Sequence, residues 1–346
     1  MLVNRYEYIN ICWEVEYDEK VKKSMSKLFD DYYLPCSIDN MELSFKISLV
    51  SKDFKDLKEI LEYGHEVTIH NSKKPSVHEE GLCYDNGFTR TIYNLSTKSV
   101  YYLNYLTNIV TIYNKDISML SRDGIRVIRD LVKVCTEEKN KAVMFHAAAL
   151  RGPKNQGVLL LGGKGSGKTT FSLNLLYDLG FTEVSRDRVF IEKQRDILCI
   201  YGWPNYYNLT MRTIRSFEKT KKFFPSKYID FDITELDNLC EKIQFTPDAL
   251  DINNRINKAG LTHVIFLANK NKKGSNDLWD ILAQSCYSPK DLNYPDWHSW
   301  VKNTSEIYKN AKEISKELVE FKNTIVLEWD SINDGIEKIL YFLEEG

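Results

Sequence analysis

A glycine-rich stretch near the middle of the chain restricts the possible folds more than any other feature. It reads Gly162-Gly163-Lys164-Gly165-Ser166-Gly167-Lys168-Thr169 and fits the phosphate-loop pattern of Gly, four residues and Gly-Lys-Ser/Thr. Glycines permit backbone conformations that turn successive N–H groups toward phosphate oxygens. Lys168 is predicted to reach the β- and γ-phosphates, and the Thr169 hydroxyl to bind Mg²⁺. The predicted nucleotide-binding residues are Gly162, Gly163, Lys164, Gly165, Ser166, Gly167, Lys168, Thr169 and Thr170.

The residues on both sides of this stretch support the motif. The apolar run 157–161 has the length of a buried strand. Residues 170–180 form an amphipathic helical pattern that closes at Gly180, a favourable residue just beyond a helix C-terminus. The alternative is an ordinary glycine-rich turn, but the order of strand, loop and helix favours a phosphate loop whose helix N-terminus faces an anion.

Composition indicates a globular protein without a strong electrostatic preference. The chain has 346 residues, 43% hydrophobic and 28% charged, with a formal net charge of −2. This length suggests two domains. The charge does not favour nucleic acid or an anionic membrane as a partner, and no apolar run or N-terminal signal pattern indicates membrane insertion or export. The seven cysteines are scattered and never spaced as Cys-x-x-Cys. They predict reduced thiols in a cytoplasmic protein, with neither a zinc site nor a disulfide framework.

Residues 1–120 are predicted to form a smaller α+β module. Residues 9–17 and 43–49 alternate as half-buried strands do, and residues 21–29 repeat at helical spacing. The histidines of the module are interpreted as surface or strand residues, because no cysteine or carboxylate cluster accompanies them at ligand spacing; they are His65, His70 and His78. We therefore expect the module to shape substrate access or to mediate assembly.

Residues 121–346 are predicted to form an α/β domain around the phosphate loop. Apolar runs at 142–150, 182–191, 260–268 and 324–329 indicate strands. Residues 270–275 indicate a polar connection. Residues 212–227 are locally basic and residues 230–251 locally acidic. The basic run is interpreted as a solvated face, with the docking of an acidic peptide as the alternative.

Two residues outside the loop are candidates for chemistry. Asp187 lies in the next strand-like segment after the phosphate-loop helix, where a carboxylate can hold Mg²⁺; the alternative is a salt-bridged surface aspartate. No long apolar strand ends in Asp, which argues against an ordinary ATPase or GTPase. His146 lies between Phe145 and three alanines, so it is either functional or a buried, hydrogen-bonded core histidine.

Taken together, these motifs resemble the catalytic domain of the HPr kinase/phosphorylase family. The resemblance rests on His146 before the loop, the loop itself, Val184-Ser-Arg-Asp-Arg-Val189 and Gly202-Trp-Pro204, and it covers roughly residues 120–345. It implies a mixed-sheet P-loop kinase domain with the phosphoenolpyruvate carboxykinase-like nucleotide fold, using ATP and Mg²⁺. Some members of the wider group accompany lasso-peptide and related peptide-maturation systems, and others phosphorylate free serine. Members are often oligomeric, so a homo-oligomer is an expectation by analogy.

The resemblance also implies site roles and one departure from the family pattern. His146 would lie near the transferred phosphate or the metal, Lys168 and Thr169 keep their roles, and Asp187 matches the second aspartate of an Asp-Asp pair. Arg186 stands in place of the first aspartate, and an arginine cannot accept a proton. Either another carboxylate or Asp187 itself serves as base, or Arg186 clamps an anionic group, or transfer is lost. Because no Gly-Leu-Gly-Ile stretch is present, HPr itself is a weak candidate for the substrate.

The predicted function is therefore an ATP-dependent kinase that phosphorylates a hydroxyl, with serine in a peptide or small protein as the expected acceptor. The predicted catalytic residues are His146, Lys168, Asp187 and Arg186, and the predicted Mg²⁺ ligands are Thr169 and Asp187. One alternative is a small-molecule kinase acting on free serine. The other is a nucleotide-binding regulatory module without phosphoryl transfer. The residues do not distinguish ATP from GTP, since no base-reading motif is visible.

Overall fold

The computed structural model describes residues 2–36, 42–72, 77–239, 241–268, 277–291, 294–300 and 303–345. The chain divides into two compact units. The first comprises Met1–Val143 and Tyr287–Lys312, and the second comprises Met144–Cys286 and Glu313–Gly346. The polar connection predicted at 270–275 lies outside the described residues.

These units differ from the predicted ranges 1–120 and 121–346. The helix Ile117–Asn140 belongs wholly to the first unit because its apolar face, including Ile128 and Leu131, is fully buried there. The segment 287–312 also joins the first unit although it follows the second in sequence. Hydrophobic patterns in the sequence do not show that segment 287–312 packs with the first unit, because this assignment depends on tertiary contacts.

The first unit contains a nine-stranded sheet, in agreement with the predicted α+β class. The elements are β1 (Leu2–Tyr8), β2 (Ile11–Tyr17), α1 (Glu19–Phe29), β3 (Leu34–Pro35), β4 (Leu43–Val50), α2 (Lys58–Tyr63), β5 (His65–His70), β6 (Glu79–Asn86), β7 (Thr89–Asn94), β8 (Val100–Asn104), β9 (Ile109–Tyr113) and α3 (Ile117–Asn140). The strand order in the sheet is β3-β1-β2-β4-β9-β8-β7-β6-β5.

The alternating pattern at 9–17 begins with a turn rather than a strand. Ile9 and Asn10 have positive φ values of 44° and 58° and reverse the chain between β1 and β2, which pair antiparallel. From Ile11 onward the alternation follows the prediction, and Trp13 is buried between the rings of Tyr6 and Phe45. Burial of these large aromatic surfaces anchors one side of the sheet.

The described residues of the second unit form three sheets. A five-stranded mixed sheet has the order β13-β11-β12-β19-β20, a four-stranded sheet has the order β10-β14-β15-β18, and β16 pairs with β17. The elements are β10 (Val143–Phe145), β11 (Ala148–Arg151), β12 (Gly157–Leu161), α4 (Lys168–Asp178), β13 (Thr182–Ser185), β14 (Val189–Gln194), β15 (Ile197–Tyr201), β16 (Tyr207–Thr210), α5 (Met211–Ser216), α6 (Glu218–Lys221), α7 (Ile233–Asn238), β17 (Lys242–Phe245), β18 (Lys258–Gly260), β19 (His263–Ala268), α8 (Leu278–Ser285), α9 (Thr304–Val319), whose first residues belong to the first unit, β20 (Thr324–Glu328) and α10 (Ile332–Glu345).

Two of the predicted strands are each divided into two. The run 142–150 forms β10 and β11, and the run 182–191 forms β13 and β14. In both cases the chain leaves one sheet and enters the other, so a single continuous strand is impossible. The predicted apolar character is correct because both halves are buried, but hydropathy carries no information about which sheet a strand joins.

The core of the five-stranded sheet holds the phosphate-loop helix in place. Phe171 and Leu175 of α4 pack with Ile339 of α10 against buried strand residues of the sheet, including Leu160. Within the described ranges, no helix combines the length and apolar character needed to cross a bilayer.

Candidate active site

Strand register brings three separate chain turns to one edge of the five-stranded sheet. β11 runs antiparallel to both β12 and β13, with Ala148 opposite Leu160 and Ala149 opposite Ser185. The start of β11 therefore lies beside the ends of β12 and β13. The chain just before β11, the phosphate loop after β12 and the turn after β13 consequently share this edge.

Both turns that flank the loop contain a predicted catalytic residue. His146 lies in the break between β10 and β11, and Asp187 lies in the break between β13 and β14. The His146 Nε2 atom is 3.1 Å from Asp187 Oδ1. The backbone N–H of His146 donates to the Ser285 carbonyl at 2.6 Å, which fixes the turn. The two residues meet because both chain segments change sheets at the same place.

The phosphate loop has the backbone geometry that its glycines predict. Gly165 and Gly167 have φ values of 78° and 100°, which disfavour side chains. A Cβ on Gly167 would also come within 3.3 Å of Phe171 and Trp329. The Ser166 hydroxyl is buried and has no hydrogen-bond partner in the part of the chain that the structure describes. A loop with such a hydroxyl is suited to a polar ligand.

Lys168 begins α4 and lies across the loop. Its ammonium donates to the carbonyl oxygens of Gly162 at 2.5 Å and of Gly163 at 3.2 Å, and the residue is 7% exposed. Burial lowers the pKa of Lys168 to about 8, although the nearby Asp187 carboxylate acts in the opposite direction. The buried ammonium therefore lacks a full counter-charge, which an anionic ligand would supply. Thr169 and Thr170 are half-buried in the same first turn.

Asp187 is an ionised carboxylate with two polar neighbours. Its Oδ1 faces His146, and its Oδ2 accepts a hydrogen bond from the Asn205 amide at 3.1 Å. The Asp187 side chain is half-buried, and the resulting desolvation would raise its pKa, but the His146 contact and the positive charges of Arg188 and Lys168 outweigh this effect and lower the pKa well below the usual range. The carboxylate therefore stays charged at neutral pH, which suits a metal ligand.

Arg186 has a different position from its neighbour. Its side chain is 3% exposed and its guanidinium pairs with Glu183 at 3.1 Å, donates to the Asn205 carbonyl and lies 4.3 Å from the centre of the Tyr207 ring. Tyr207 donates its hydroxyl to the same glutamate. In this geometry the guanidinium is paired with Glu183, whereas a clamp on an anionic group was one of three alternatives for Arg186. Arg186 is connected to the turn that contains Asp187 through Asn205, whose amide contacts the Asp187 carboxylate.

The basic run 212–227 is largely paired with acidic residues. The docking surface considered for this run therefore has less free charge than its sequence indicates. The pairs are Arg212–Asp237 at 2.6 Å, Lys221–Glu218 at 2.5 Å, Lys222–Asp251 at 3.6 Å and Lys227–Glu241 at 3.4 Å.

Asn205 and Glu183 are the site residues that sequence reasoning missed. Asn205 follows Pro204 in the irregular segment between β15 and β16, and its amide donates a hydrogen bond to Asp187. Glu183 lies in β13 and is fully buried, so it has to be paired or protonated. The only sequence signals were an Asn after a strand-breaking Gly-Trp-Pro and a glutamate inside an apolar run.

The Glu183–Arg186 pair gives a testable stability prediction. We expect Glu183→Ala to lower the free energy of unfolding by about 3 kcal/mol or more, because it leaves the buried Arg186 guanidinium without its counter-ion. Urea denaturation measures the change. The matched control is Asp237→Ala, which removes an exposed partner of Arg212 and should cost less than about 1 kcal/mol. Equal effects of the two substitutions would contradict the structural role of Glu183.

Comparison with known proteins adds little evidence about the family or the activity of this chain. No protein-family model and no curated protein sequence matches the chain. A solved structure of the Hpr(Ser) kinase/phosphatase from Coxiella burnetii matches with 20% identity and a TM-score of 0.25. The match covers 39% of this chain and 64% of that chain, so this chain spans less than two thirds of its length. A similarity at this level carries no argument about fold or activity, and the inferences below rest on the site itself.

Proposed function

We propose that the chain is an ATP-dependent kinase that transfers the γ-phosphate to a hydroxyl, with serine in a peptide or small protein as the acceptor. One observation carries the proposal. A phosphate loop with a buried lysine shares a sheet edge with a hydrogen-bonded histidine–aspartate pair. The loop accounts for triphosphate binding, and the pair adds an ionised carboxylate and a group able to accept a proton next to it.

The residues present fit both a nucleotide and Mg²⁺. The unpartnered Ser166 hydroxyl and the under-neutralised Lys168 ammonium suit phosphate oxygens. Thr169 and Asp187 offer a hydroxyl and an ionised carboxylate, which are the hard oxygen donors that Mg²⁺ prefers. When bound, Mg²⁺ would neutralise phosphate charge.

The remaining steps use groups of the chain itself. The loop N–H groups and Lys168 hold the β- and γ-phosphates in place. The acceptor oxygen attacks the γ-phosphorus, the bond from that phosphorus to the β-γ bridging oxygen breaks, and ADP leaves with the bond's electron pair. The acceptor proton passes to the His146–Asp187 pair, because Arg186 cannot accept it. Such transfer depends mainly on positioning and charge stabilisation, so the replacement of the first aspartate of the pair by Arg186 does not preclude it.

The test is a transfer assay with labelled ATP, Mg²⁺ and two acceptors. Incorporation into a serine-containing peptide, with none into free serine, is the expected result. Incorporation into free serine with none into peptide would replace the proposal by the small-molecule kinase. Tight ATP binding without transfer to any acceptor would instead indicate a nucleotide-binding regulatory module and overturn the kinase proposal. Parallel reactions with GTP determine the base preference.

Nucleotide affinity is expected to decrease with rising pH. The charged form of Lys168 binds phosphate, and its pKa is lowered to about 8, so raising the pH from about 7.5 to about 9 removes most of the charge before ligand binds. We expect the apparent affinity to fall by up to about tenfold in isothermal titration calorimetry. Lys168→Arg is the control, because the guanidinium stays charged over this pH range. The nucleotide affinity of this variant should therefore not change with pH. A profile that is equally flat in the wild type would contradict the role of Lys168.

A further inference from the structure

A second cluster of potential ligands lies in the first unit, whereas the residues of the proposed kinase site belong to the second unit. The ligand atoms of His65, Cys83 and Asp85 lie within 4.8 Å of one another. We propose that these three side chains form a Zn²⁺ site. The spacing of the cysteines and histidines in the sequence predicts no zinc site, so the Zn²⁺ binding experiment tests that expectation as well as this assignment.

The sheet explains how the three residues meet. His65 begins the edge strand β5 and lies directly opposite Cys83 in the antiparallel ladder with β6. Asp85 lies two residues after Cys83 on the same strand, so the two side chains project from the same face. His65 and Cys83 are 18 positions apart in sequence, and therefore no short-spacing motif reveals the cluster.

The donor set favours zinc over Mg²⁺ or Ca²⁺. Imidazole nitrogen, thiolate sulfur and carboxylate oxygen are the three ligand types that Zn²⁺ uses. Bond lengths of about 2.0–2.3 Å place tetrahedral ligands roughly 3.5 Å apart, so adjustments of about 1 Å from the observed separations suffice. His65 is exposed at the start of an edge strand, where such an adjustment requires no repacking of the core.

Two of the three donors have no competing hydrogen bond. Neither the His65 ring nor the Cys83 thiol makes a hydrogen bond among the described residues. Cys83 is fully buried, and burial raises the pKa of its thiol to about 11. The thiol is thus protonated without a cation, and zinc binding displaces the proton.

Arg90 positions the third donor. It lies opposite Asp85 in the β6–β7 ladder, and its Nε and Nη2 atoms each donate to one carboxylate oxygen at 2.7 Å. This bidentate pair lowers the pKa of Asp85, so the carboxylate is ionised. Each carboxylate oxygen keeps a second lone pair for a metal. An outer partner that orients a ligand in this way is a regular feature of zinc sites.

The cluster is open to solvent at two of its three ligands, because His65 and Asp85 are exposed. Asp85 also lines a cavity of about 220 Å³ together with Arg90, Tyr105, Asn108, Ser299 and Trp300, all in the first unit. With three protein donors, the fourth tetrahedral position can be completed by water.

The experiment measures Zn²⁺ binding by the full chain after treatment with a chelator. Competition with a chromophoric chelator should give one bound Zn²⁺ per chain. Co²⁺ in place of Zn²⁺ should give a thiolate-to-cobalt charge-transfer band. We expect Cys83→Ser to abolish this band, and His65→Asn and Asp85→Asn each to weaken Zn²⁺ binding by at least about tenfold. Arg90→Gln should weaken it by a similar factor through loss of ligand orientation.

Matched controls separate this site from other histidines and cysteines. His78→Asn alters a half-buried histidine that contacts Glu80, and Cys199→Ser alters a buried cysteine of the second unit; both variants should bind Zn²⁺ like the wild type. If Cys83→Ser fails to fold, the exposed His65 and Asp85 substitutions still decide the outcome. Absence of Zn²⁺ binding, or binding unchanged by the His65 and Asp85 substitutions, would overturn the proposal whatever the result of the kinase assay.

Discussion

Replacing Lys168 by Met is expected to weaken ATP binding by about 100-fold and to stabilise the protein at the same time. In the proposed site the ammonium supplies charge-assisted hydrogen bonds to phosphate, each worth about 1.5–3 kcal/mol, so its loss would cost roughly that amount of binding free energy. The same ammonium is buried with its pKa lowered to about 8 from 10.5, so folding at neutral pH pays a desolvation cost that Met avoids. We expect the free energy of unfolding to rise by about 1–3 kcal/mol.

Calorimetric titration with ATP and urea denaturation measure the two effects on the same samples. Lys164→Met is the matched control, because Lys164 lies in the same loop but is exposed and should change neither quantity appreciably. A lysine with a purely structural role would show a loss of stability and no specific loss of ATP binding. ATP binding that survives Lys168→Met would therefore refute the assignment of the phosphate loop.

Replacing Asp187 by Asn is expected to reduce phosphoryl transfer by about 10²–10³-fold while ATP binding without metal stays close to wild type. The amide preserves the shape of the side chain but removes the charge that a metal and the His146 contact require. Because the pKa of Asp187 lies below its unfolded value, its contribution to stability is present at neutral pH and is lost in acid. Asp187→Asn should therefore also reduce the decrease in the free energy of unfolding that the wild type shows between neutral and acidic pH.

Single-turnover transfer and urea denaturation at several pH values test this prediction. The matched control is Asp196→Asn, which alters an exposed aspartate between β14 and β15. Its rate of phosphoryl transfer should lie within about twofold of the wild-type rate. Transfer that is unaffected by Asp187→Asn would show that this aspartate is a surface residue without a role in the reaction.

The local features of the phosphate loop follow closely from the sequence. The strand 157–161 and the helix after Gly167 are observed where predicted, and Gly165, Gly167 and Gly180 have positive φ values. These features depend on short-range backbone preferences and on a continuous apolar run, which a local pattern records. His146 and Asp187 were also identified as candidates, and the structure brings them together.

The strand breaks at His146 and Asp187 were not predictable from the same patterns. Both halves of each divided strand are apolar, and the sheet to which each half belongs is decided by distant pairing partners. The position of Arg186 has the same origin. Its charge suggested contact with an anion, but Glu183 and Tyr207 give it a buried environment that only the packed unit creates.

The sequence by itself determined a strand, a glycine-rich loop that fits the phosphate-loop pattern and a helix, because these elements are specified by residues within a few positions of one another. The tertiary structure decided which side chains lie beside the loop. Antiparallel pairing of β11 with both neighbours places the His146–Asp187 pair beside the phosphate loop, and the β5–β6 ladder places His65 opposite Cys83. Such groupings depend on strand register between distant segments, and register is set by the burial of whole sheet faces rather than by any local motif.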